Sequence, residues 1–182
     1  MLNDGYYDDA VEKLGNHTPA GPFKGGKYSL FEAGTRVPFV TYWKGKIQPG
    51  VSDALVTQID LLASLAALVG SSASGPDSEN LLEAFLGKSQ QGRESFVLEA
   101  TTRTALRSGD WAMIPPYPGP AVQNQVNIEL GNSTDYQLFN LKDDPSQQTN
   151  LATSNPEKLE EMKKKYLEIR GDNSKIEQVE LK

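Results

Sequence analysis

Residues 18–40 read TPAGPFKGGKYSLFEAGTRVPFV, a glycine-rich polar loop that runs directly into an apolar segment. Glycine lets the backbone approach a ligand closely, and Gly25 and Gly26 place Lys27 where its ammonium can meet an anion. The residues from Val37 to Trp43 are rich in β-formers and predict a strand, with Pro38 near its start. A strand in this position would fix the loop to a rigid sheet.

Length and charge narrow the possible classes of protein. The chain has 182 residues, enough for one domain with a substantial core or for two small ones. Its net charge of -6 argues against a nucleic-acid partner, because duplex binding needs a basic face. No apolar run reaches the ~18 to 20 residues of a membrane span, and residues 1–20 lack the charged and apolar regions of a signal peptide. The sequence therefore predicts no nucleic-acid partner, no membrane span and no export signal of its own.

The residues after the loop predict two helices and then a boundary. From Thr57 to Val69, apolar side chains recur at helical spacing, and Gly70 follows as a stop signal. Residues 81–86 predict a second, short helix. Residues 88–93 have the composition of a linker, so we place a domain boundary after residue 90. The apolar residues of the first helix are Ile59, Leu62, Leu65, Ala66 and Leu68.

The pattern beyond residue 93 changes to short strands. Four strands are predicted, at residues 95–100, 104–107, 111–114 and 136–141, and the proline-rich residues 115–134 are an insertion or a long hairpin loop. Asn155-Pro156 then opens a helix with a cap and an N1 proline, and Gly171 ends it. One helix face carries Leu159, Met162, Tyr166 and Ile169, and this face, Trp111 and Phe139 are expected in the core.

The motifs of this chain resemble those of the formylglycine-dependent sulfatases, the arylsulfatase family of the alkaline-phosphatase-like superfamily. Residues 21–39 are similar to the family pattern G-P-x-R/K-G-G-K-x-S-x-x-E-G-G-x-R-V-P-F, with Ala33 where the family usually has glycine. Three further stretches also match: VTQIDLLASL at 56–65, RSGDW at 107–111 and LFNLKDDPSQQTNL at 138–151.

The resemblance covers nearly the whole chain and implies an α/β (α+β) fold. Residues 1–90 would be the C-terminal remnant of the sulfatase catalytic α/β domain. Residues 91–182 would be the C-terminal antiparallel subdomain, a small four-stranded sheet packed by the last helix. The helix at 57–69 packs on the main sheet in the family, and the resemblance therefore implies a core position for its apolar residues.

The implied activity is hydrolysis of a sulfate ester to an alcohol and sulfate. Lys27 holds the position of the family lysine that binds a sulfate oxygen, whereas Lys24 is expected at the rim. The family nucleophile is a cysteine or serine in C/S-x-P-x-R, oxidised to formylglycine; the chain has no cysteine, and no stretch fits either version. The resemblance therefore implies formylglycine and calcium for a full-length parent, expects neither cofactor on this chain, and predicts that the isolated chain is inactive.

The remaining candidate site residues precede the glycine loop. Asn3 and Asp4 have the atoms of the family's metal-binding S-D-N-G but in reversed order, so we interpret them as a mimic and expect no metal ligand in this chain. His17, the only histidine, lies ten residues before Lys27. It is either a proton donor or substrate contact, or an ordinary loop histidine. Glu32 and Arg36 are expected to form a structural salt link.

The expected partners follow from the resemblance. They are a sulfated glycan or aryl sulfate and an N-terminal catalytic half, with a periplasmic or extracellular location by family. Two alternatives stay open. The chain could be a non-catalytic glycan- or partner-binding module that uses Tyr6, Tyr7 and Tyr117, because aromatic residues favour such surfaces. It could also derive from a phosphoric ester hydrolase, because sulfate and phosphate esters are similar tetrahedral anions.

Overall fold

The computed structural model describes residues 16–18, 20–124 and 127–171. These residues form two compact units: unit 1 contains the described residues up to Val37 together with those from Ser95 onward, and unit 2 is Pro38–Glu94. The helices are α1 (Glu32–Thr35), α2 (Asp60–Leu68), α3 (Leu82–Phe85) and α4 (Pro156–Arg170). The strands are β1 (Ser95–Ala100), β2 (Arg103–Ser108), β3 (Trp111–Ile114), β4 (Val122–Gln123), β5 (Ile128–Glu129) and β6 (Gln137–Asn140).

Unit 1 is built on a four-stranded antiparallel sheet with the order β1-β2-β3-β6. The prediction of four antiparallel strands is confirmed, and the strand at 111–114 has the predicted bounds. Gly109, with φ of 52°, lies in the tight turn between β2 and β3, where its lack of a side chain suits a positive φ. The predicted insertion at 115–134 contains the small antiparallel pair β4 and β5.

Alternation along the strands gives the sheet two apolar faces, because successive side chains point to opposite sides. One face packs against the end of the glycine loop, where the rings of Phe31 and Phe139 meet edge to face at 5.9 Å. The other face packs against α4, and Met162 of that helix is fully buried against the sheet. The predicted packing of the C-terminal helix on one face of the sheet is therefore confirmed.

The ends of α4 follow from its sequence. Pro156 occupies the first turn, where a missing N–H removes no helical hydrogen bond, and Gly171 follows the last turn with φ of 72°. The predicted cap is wrong, because the Asn155 side chain donates to Ser154 Oγ at 3.1 Å and makes no cap hydrogen bond. Ile169, expected in the core, is 46% exposed; it lies in the last turn of α4, about two turns beyond Met162, which is buried against the sheet.

In unit 2, the predicted helix forms as α2 and Ala66 is buried as expected, but the expectation of a core position is wrong for Ile59, Leu62, Leu65 and Leu68. Ile59, Leu62 and Leu65 are each half exposed. The helix turns its other side inward, with Asp60 and Ser64 fully buried, because their polar atoms satisfy backbone groups of the following loop. The apolar side of α2 therefore stays half exposed.

Asp60 is the polar centre of unit 2. Its carboxylate accepts hydrogen bonds from Arg93 Nη2 at 2.6 Å, from the Glu79 amide at 3.0 Å and from the Thr57 amide at 2.9 Å. Burial opposes ionisation of Asp60, but these hydrogen bonds outweigh it and hold the pKa of the carboxyl below its ordinary value. The Arg93 side chain is 7% exposed, so this is a buried ion pair rather than a surface one.

The strand predicted from Val37 to Trp43 does not form. This segment has no regular secondary structure, and Val40 and Tyr42 are more than four-fifths exposed. A strand requires a neighbouring strand to pair its backbone groups, and none of the described strands pairs with this segment. Its β-forming composition is therefore not used in this structure.

The compact units do not follow the domain boundary drawn after residue 90. Unit 2 ends nearby at Glu94, but the described residues up to Val37 belong with the sheet of unit 1, because Leu30 and Phe31 enter its core. The assignment of 1–90 to a catalytic domain and of 91–182 to a C-terminal subdomain stays a prediction. In the part of the chain that the structure describes, no helix is long and apolar enough to cross a membrane.

Candidate functional site

The glycine loop around Lys27 is tightly wound. The Ser29 amide donates to the Gly26 carbonyl at 3.0 Å, closing a turn around Lys27 and Tyr28. Gly25 has φ of 84°, and a Cβ there would lie 2.3 Å from Ser29 Oγ. A Cβ on Gly26 would lie 3.2 Å from Ile128 Cδ1 of β5. The two glycines before Lys27 are thus explained by close packing within unit 1.

Gly34 is constrained even more closely, because a Cβ there would lie 2.1 Å from the Ser29 carbonyl oxygen. We expect Gly34→Ala to lower the free energy of unfolding of unit 1 by about 1–3 kcal/mol, the usual cost of overpacking. The measurement is urea unfolding followed by Trp111 fluorescence in a Trp43→Phe background, which leaves the only tryptophan in unit 1.

Gly50→Ala is the matched control, since a Cβ there meets no atom within 4 Å. Its unfolding midpoint should stay close to that of the parent protein. Equal midpoints for the Gly34 and Gly50 variants would contradict the close contact between Gly34 and Ser29.

Lys27 and Lys24 have different surroundings. Lys27 is half-buried, and its Nζ lies 5.1 Å from the ring centroid of Tyr28, which is 45% exposed. Lys24 Nζ lies 4.5 Å above the ring of Phe31, which is buried. An ammonium beside an accessible ring can meet an anion from solvent, so the geometry is compatible with the role predicted for Lys27.

Behind the loop, Glu32 joins the glycine loop to the sheet. Its carboxylate contacts Arg36 Nη1 at 3.2 Å, which confirms the predicted salt link, and it also contacts Arg107 Nη1 at 3.2 Å. The Glu32 amide donates to Gln147 Oε1 at 2.8 Å. Burial lowers the pKa of Arg107, and the Glu32 carboxylate opposes that shift. Four side chains from three parts of unit 1 therefore hold the loop in place.

Sequence reasoning missed the roles of Arg107 and Gln147. Both belong to the family-like stretches RSGDW and LFNLKDDPSQQTNL, in which we assigned only Trp111 and Phe139 to the core and gave the polar residues no role. The available signal was their polarity: a buried arginine requires a carboxylate partner, and Glu32 was already assigned to a structural ion pair.

The other predicted site residues are not brought together with Lys27 by the contacts of the described residues. His17 is exposed in the short described segment 16–18, and its role stays a prediction. Asn3 and Asp4, the proposed metal-site mimic, lie outside the described residues.

The chemistry of the described residues does not fit the implied cofactors. Within residues 16–18, 20–124 and 127–171, no group of three or more histidine, cysteine, aspartate or glutamate side chains could hold a metal ion. The chain has no cysteine that could become formylglycine.

Tyr117, a candidate for glycan binding, is tied into the sheet. Its hydroxyl accepts from the Thr104 amide at 3.0 Å and donates to the Thr104 carbonyl at 2.8 Å. The Thr104 hydroxyl in turn bonds the Tyr166 hydroxyl of α4 at 2.6 Å. These contacts give Tyr117 a structural role; Tyr6 and Tyr7 lie outside the described residues.

Comparison with known proteins places these features in one family. Residues 6–71 match the family model described as Sulfatase. The N-acetylgalactosamine-6-O-sulfatase of Bacteroides thetaiotaomicron is 42% identical over 166 residues, which cover 89% of this chain and 32% of that protein. Arylsulfatase A of Homo sapiens is 35% identical over 79 residues, which cover 42% of this chain and 16% of that protein.

Solved structures agree with the described fold. A Bacteroides thetaiotaomicron protein, solved in work on the metabolism of multiple glycosaminoglycans, matches with a TM-score of 0.88 and 39% identity, covering 94% of this chain and 37% of that one. A sulfatase from Pseudoalteromonas sp. shares the fold, with a TM-score of 0.66 and 22% identity. The match covers 90% of this chain and 34% of the Pseudoalteromonas chain. The chain spans about a third (32%) of the length of the N-acetylgalactosamine-6-O-sulfatase of Bacteroides thetaiotaomicron. It is therefore a partial sulfatase region and belongs to the sulfatase family.

Proposed function

We propose that this chain is part of an arylsulfatase-type hydrolase in which Lys27 binds the sulfate group of the substrate. The reaction adds water to a sulfate ester, breaks the bond between sulfur and the ester oxygen, and gives an alcohol and sulfate. The observation that carries this proposal is the wound Gly25-Gly26-Lys27 turn, whose half-buried lysine lies beside the exposed Tyr28 ring, in a chain that is 42% identical over 166 residues to an enzyme named as a sulfatase.

Lys27 contributes charge rather than proton transfer. Its ammonium is a compact point charge that suits a sulfate oxygen. Negative charge on the reacting group develops during cleavage, so a fixed cation stabilises the transition state more than the bound ester. By family resemblance, the nucleophile would be a formylglycine and the metal would be calcium. Residues other than the described ones would provide this nucleophile and bind this metal.

The proposed partner of this region is an N-terminal catalytic half. Two features of unit 2 support it: the β-forming residues 38–43 are exposed and pair with no described strand, and the apolar side of α2 is half exposed. An unpaired extended segment can add to the edge of a sheet through its backbone groups. The apolar side of α2 would then become buried, as a helix with such a face requires.

We propose a sulfated glycan as substrate. The Bacteroides thetaiotaomicron relative is named for N-acetylgalactosamine carrying a 6-O-sulfate, and the chain matches it over most of its own length. An aryl sulfate is the simpler model substrate for the same chemistry. By the same family argument, we propose a periplasmic or extracellular location.

Two preparations test the proposal. The isolated chain should not hydrolyse para-nitrophenyl sulfate, because a lysine can hold an anion but cannot replace an absent nucleophile. A chimera, in which this chain replaces the matching region of the Bacteroides thetaiotaomicron relative, should hydrolyse it. Turnover by the pure chain alone, a folded but inactive chimera, or a chimera that prefers para-nitrophenyl phosphate would each overturn the proposal.

A further inference from the structure

Tyr28 adopts a backbone conformation that tyrosine rarely takes. Its φ is 75°, in the left-handed region, immediately after Lys27. A bulky non-glycine residue in this region costs about 1–3 kcal/mol, and such residues persist only where their surroundings hold them. The conformation of Tyr28 therefore needs a specific restraint.

Arg103, at the start of β2, supplies a direct contact. Its Nη2 donates to the Tyr28 carbonyl at 2.9 Å, across 75 residues of sequence. A charged donor makes a stronger hydrogen bond to a carbonyl than a neutral donor does. The contact acts on the peptide unit that joins Tyr28 to Ser29, next to the strained φ.

The guanidinium is itself held on its other side. Arg103 Nη1 donates to Asn132 Oδ1 and, at 3.5 Å, to the Leu130 carbonyl. The same Leu130 carbonyl accepts the Leu30 amide at 3.0 Å, and Asn132 Nδ2 donates to the Pro120 carbonyl at 2.8 Å. The planar guanidinium thus bridges the glycine loop and the segment after β5, a geometry that the single ammonium of lysine cannot reproduce.

We propose that Arg103 is a positioning residue: through the Tyr28 carbonyl it holds the turn that places the Lys27 ammonium for sulfate binding. The part of this proposal that concerns sulfate rests on the proposed function, whereas the part that concerns the turn does not. Arg103 does not contact the substrate in this proposal and acts only through the backbone that carries Lys27.

The first test uses the whole chain and measures amide hydrogen exchange at Ser29 and Leu30, whose amides close the turn and join it to Leu130. Arg103→Met should raise both exchange rates by about tenfold, which corresponds to about 1.4 kcal/mol. Arg103→Lys should restore part of the protection. Lys163→Met, a charge-matched change on α4, should leave both amides unchanged, and the Leu106 amide in the sheet reports whether the variants fold.

A double mutant separates this role from general stabilisation. Glycine adopts positive φ without strain, so Tyr28→Gly should remove most of the effect of Arg103→Met on Ser29 exchange. An undiminished effect in the Tyr28→Gly background would overturn the proposal. If Arg103→Met does not fold, Asn132→Ala can replace it, because this change removes one acceptor of the guanidinium. Its effect on Ser29 exchange should be smaller, and Tyr28→Gly should again remove most of it.

Kinetics in the chimera then test the link to sulfate. Arg103→Met should lower kcat/KM for para-nitrophenyl sulfate by about tenfold, with partial rescue by Arg103→Lys. Faster exchange at Ser29 with unchanged kcat/KM would overturn the positioning role. If Lys27→Ala itself had no effect on kcat/KM, the proposed function would fail while the exchange result for Tyr28 still stood, so the two failures are distinguishable.

Discussion

Lys27→Ala is expected to lower kcat/KM of the chimera for a sulfate ester by about 10²- to 10³-fold, the usual effect of losing one preorganised charge or donor at a reacting group. The reason is electrostatic: the ammonium interacts more strongly with the sulfate as negative charge grows on it. Steady-state kinetics on para-nitrophenyl sulfate measure the effect, and unchanged protection of the Leu106 amide shows that the fold is intact.

Lys24→Ala is the matched control, because it removes the same charge three residues earlier from a side chain that lies over the buried Phe31 ring. Its kcat/KM should change little. Similar losses for both variants would mean that the loop responds to its net positive charge, and no loss for Lys27→Ala would remove the sulfate-binding assignment.

Asp60→Asn is expected to destabilise unit 2 by about 3–5 kcal/mol, because it leaves the Arg93 guanidinium buried without its carboxylate. Half-exposed Glu79, whose carboxylate lies 3.0 Å from Arg93 Nη1, can offset only part of this loss. Urea unfolding followed by Trp43 fluorescence in a Trp111→Phe background reports on unit 2 alone. Glu83→Gln is the control, because its pair with Lys88 is exposed on both sides.

The pH dependence of the same unit checks the cause. The pKa of Asp60 is depressed in the folded chain, so its contribution is present above the ordinary aspartate pKa of about 3.9 and is lost as the pH falls through the folded value. The parent protein should therefore lose stability of unit 2 below about pH 4, and Asp60→Asn should lack this component. An identical acid profile for both proteins would contradict the assignment.

Local sequence patterns were sufficient for most of unit 1. The strands β1, β2, β3 and β6 are short runs of β-forming residues separated by turn residues such as Ser108-Gly109-Asp110, and this signal is visible in the sequence without knowledge of the partner strands. Pro156 and Gly171 marked the ends of α4 for a similarly local reason, since each acts on its own backbone.

Apart from the Asn155 cap and the core position of Ile169, the wrong predictions concern segments whose structure depends on a partner. The run from Val37 to Trp43 has the composition of a strand, but composition cannot supply the neighbouring strand that its backbone needs. The apolar side of α2 was assigned to a core on the same assumption. In both cases the sequence pattern shows that the segment can pair or pack, but it does not identify the partner. No described strand pairs with residues 37–43, and the apolar side of α2 stays half exposed.

The candidate site was predicted in one part and missed in another. The glycines before Lys27 form a local signal, and the family resemblance gave that lysine its role. The contacts of Arg103 with Tyr28 and of Gln147 with Glu32 join residues 75 and 115 positions apart, and such long-range hydrogen bonds leave no periodic trace in the sequence. Only the three-dimensional structure brings these polar groups together.

The contacts of Glu32 with Arg107 and Gln147 also limit which recombinants between the gene for this chain and the genes of distant relatives should fold. A crossover that took the glycine loop from one parent and the terminal sheet from a distant one would separate a carboxylate from the arginine that neutralises it. Shuffled libraries should therefore keep functional members mainly where both segments come from the same parent. Breakpoints on both sides of 38–94 would exchange that unit as a cassette and leave every one of these ties intact.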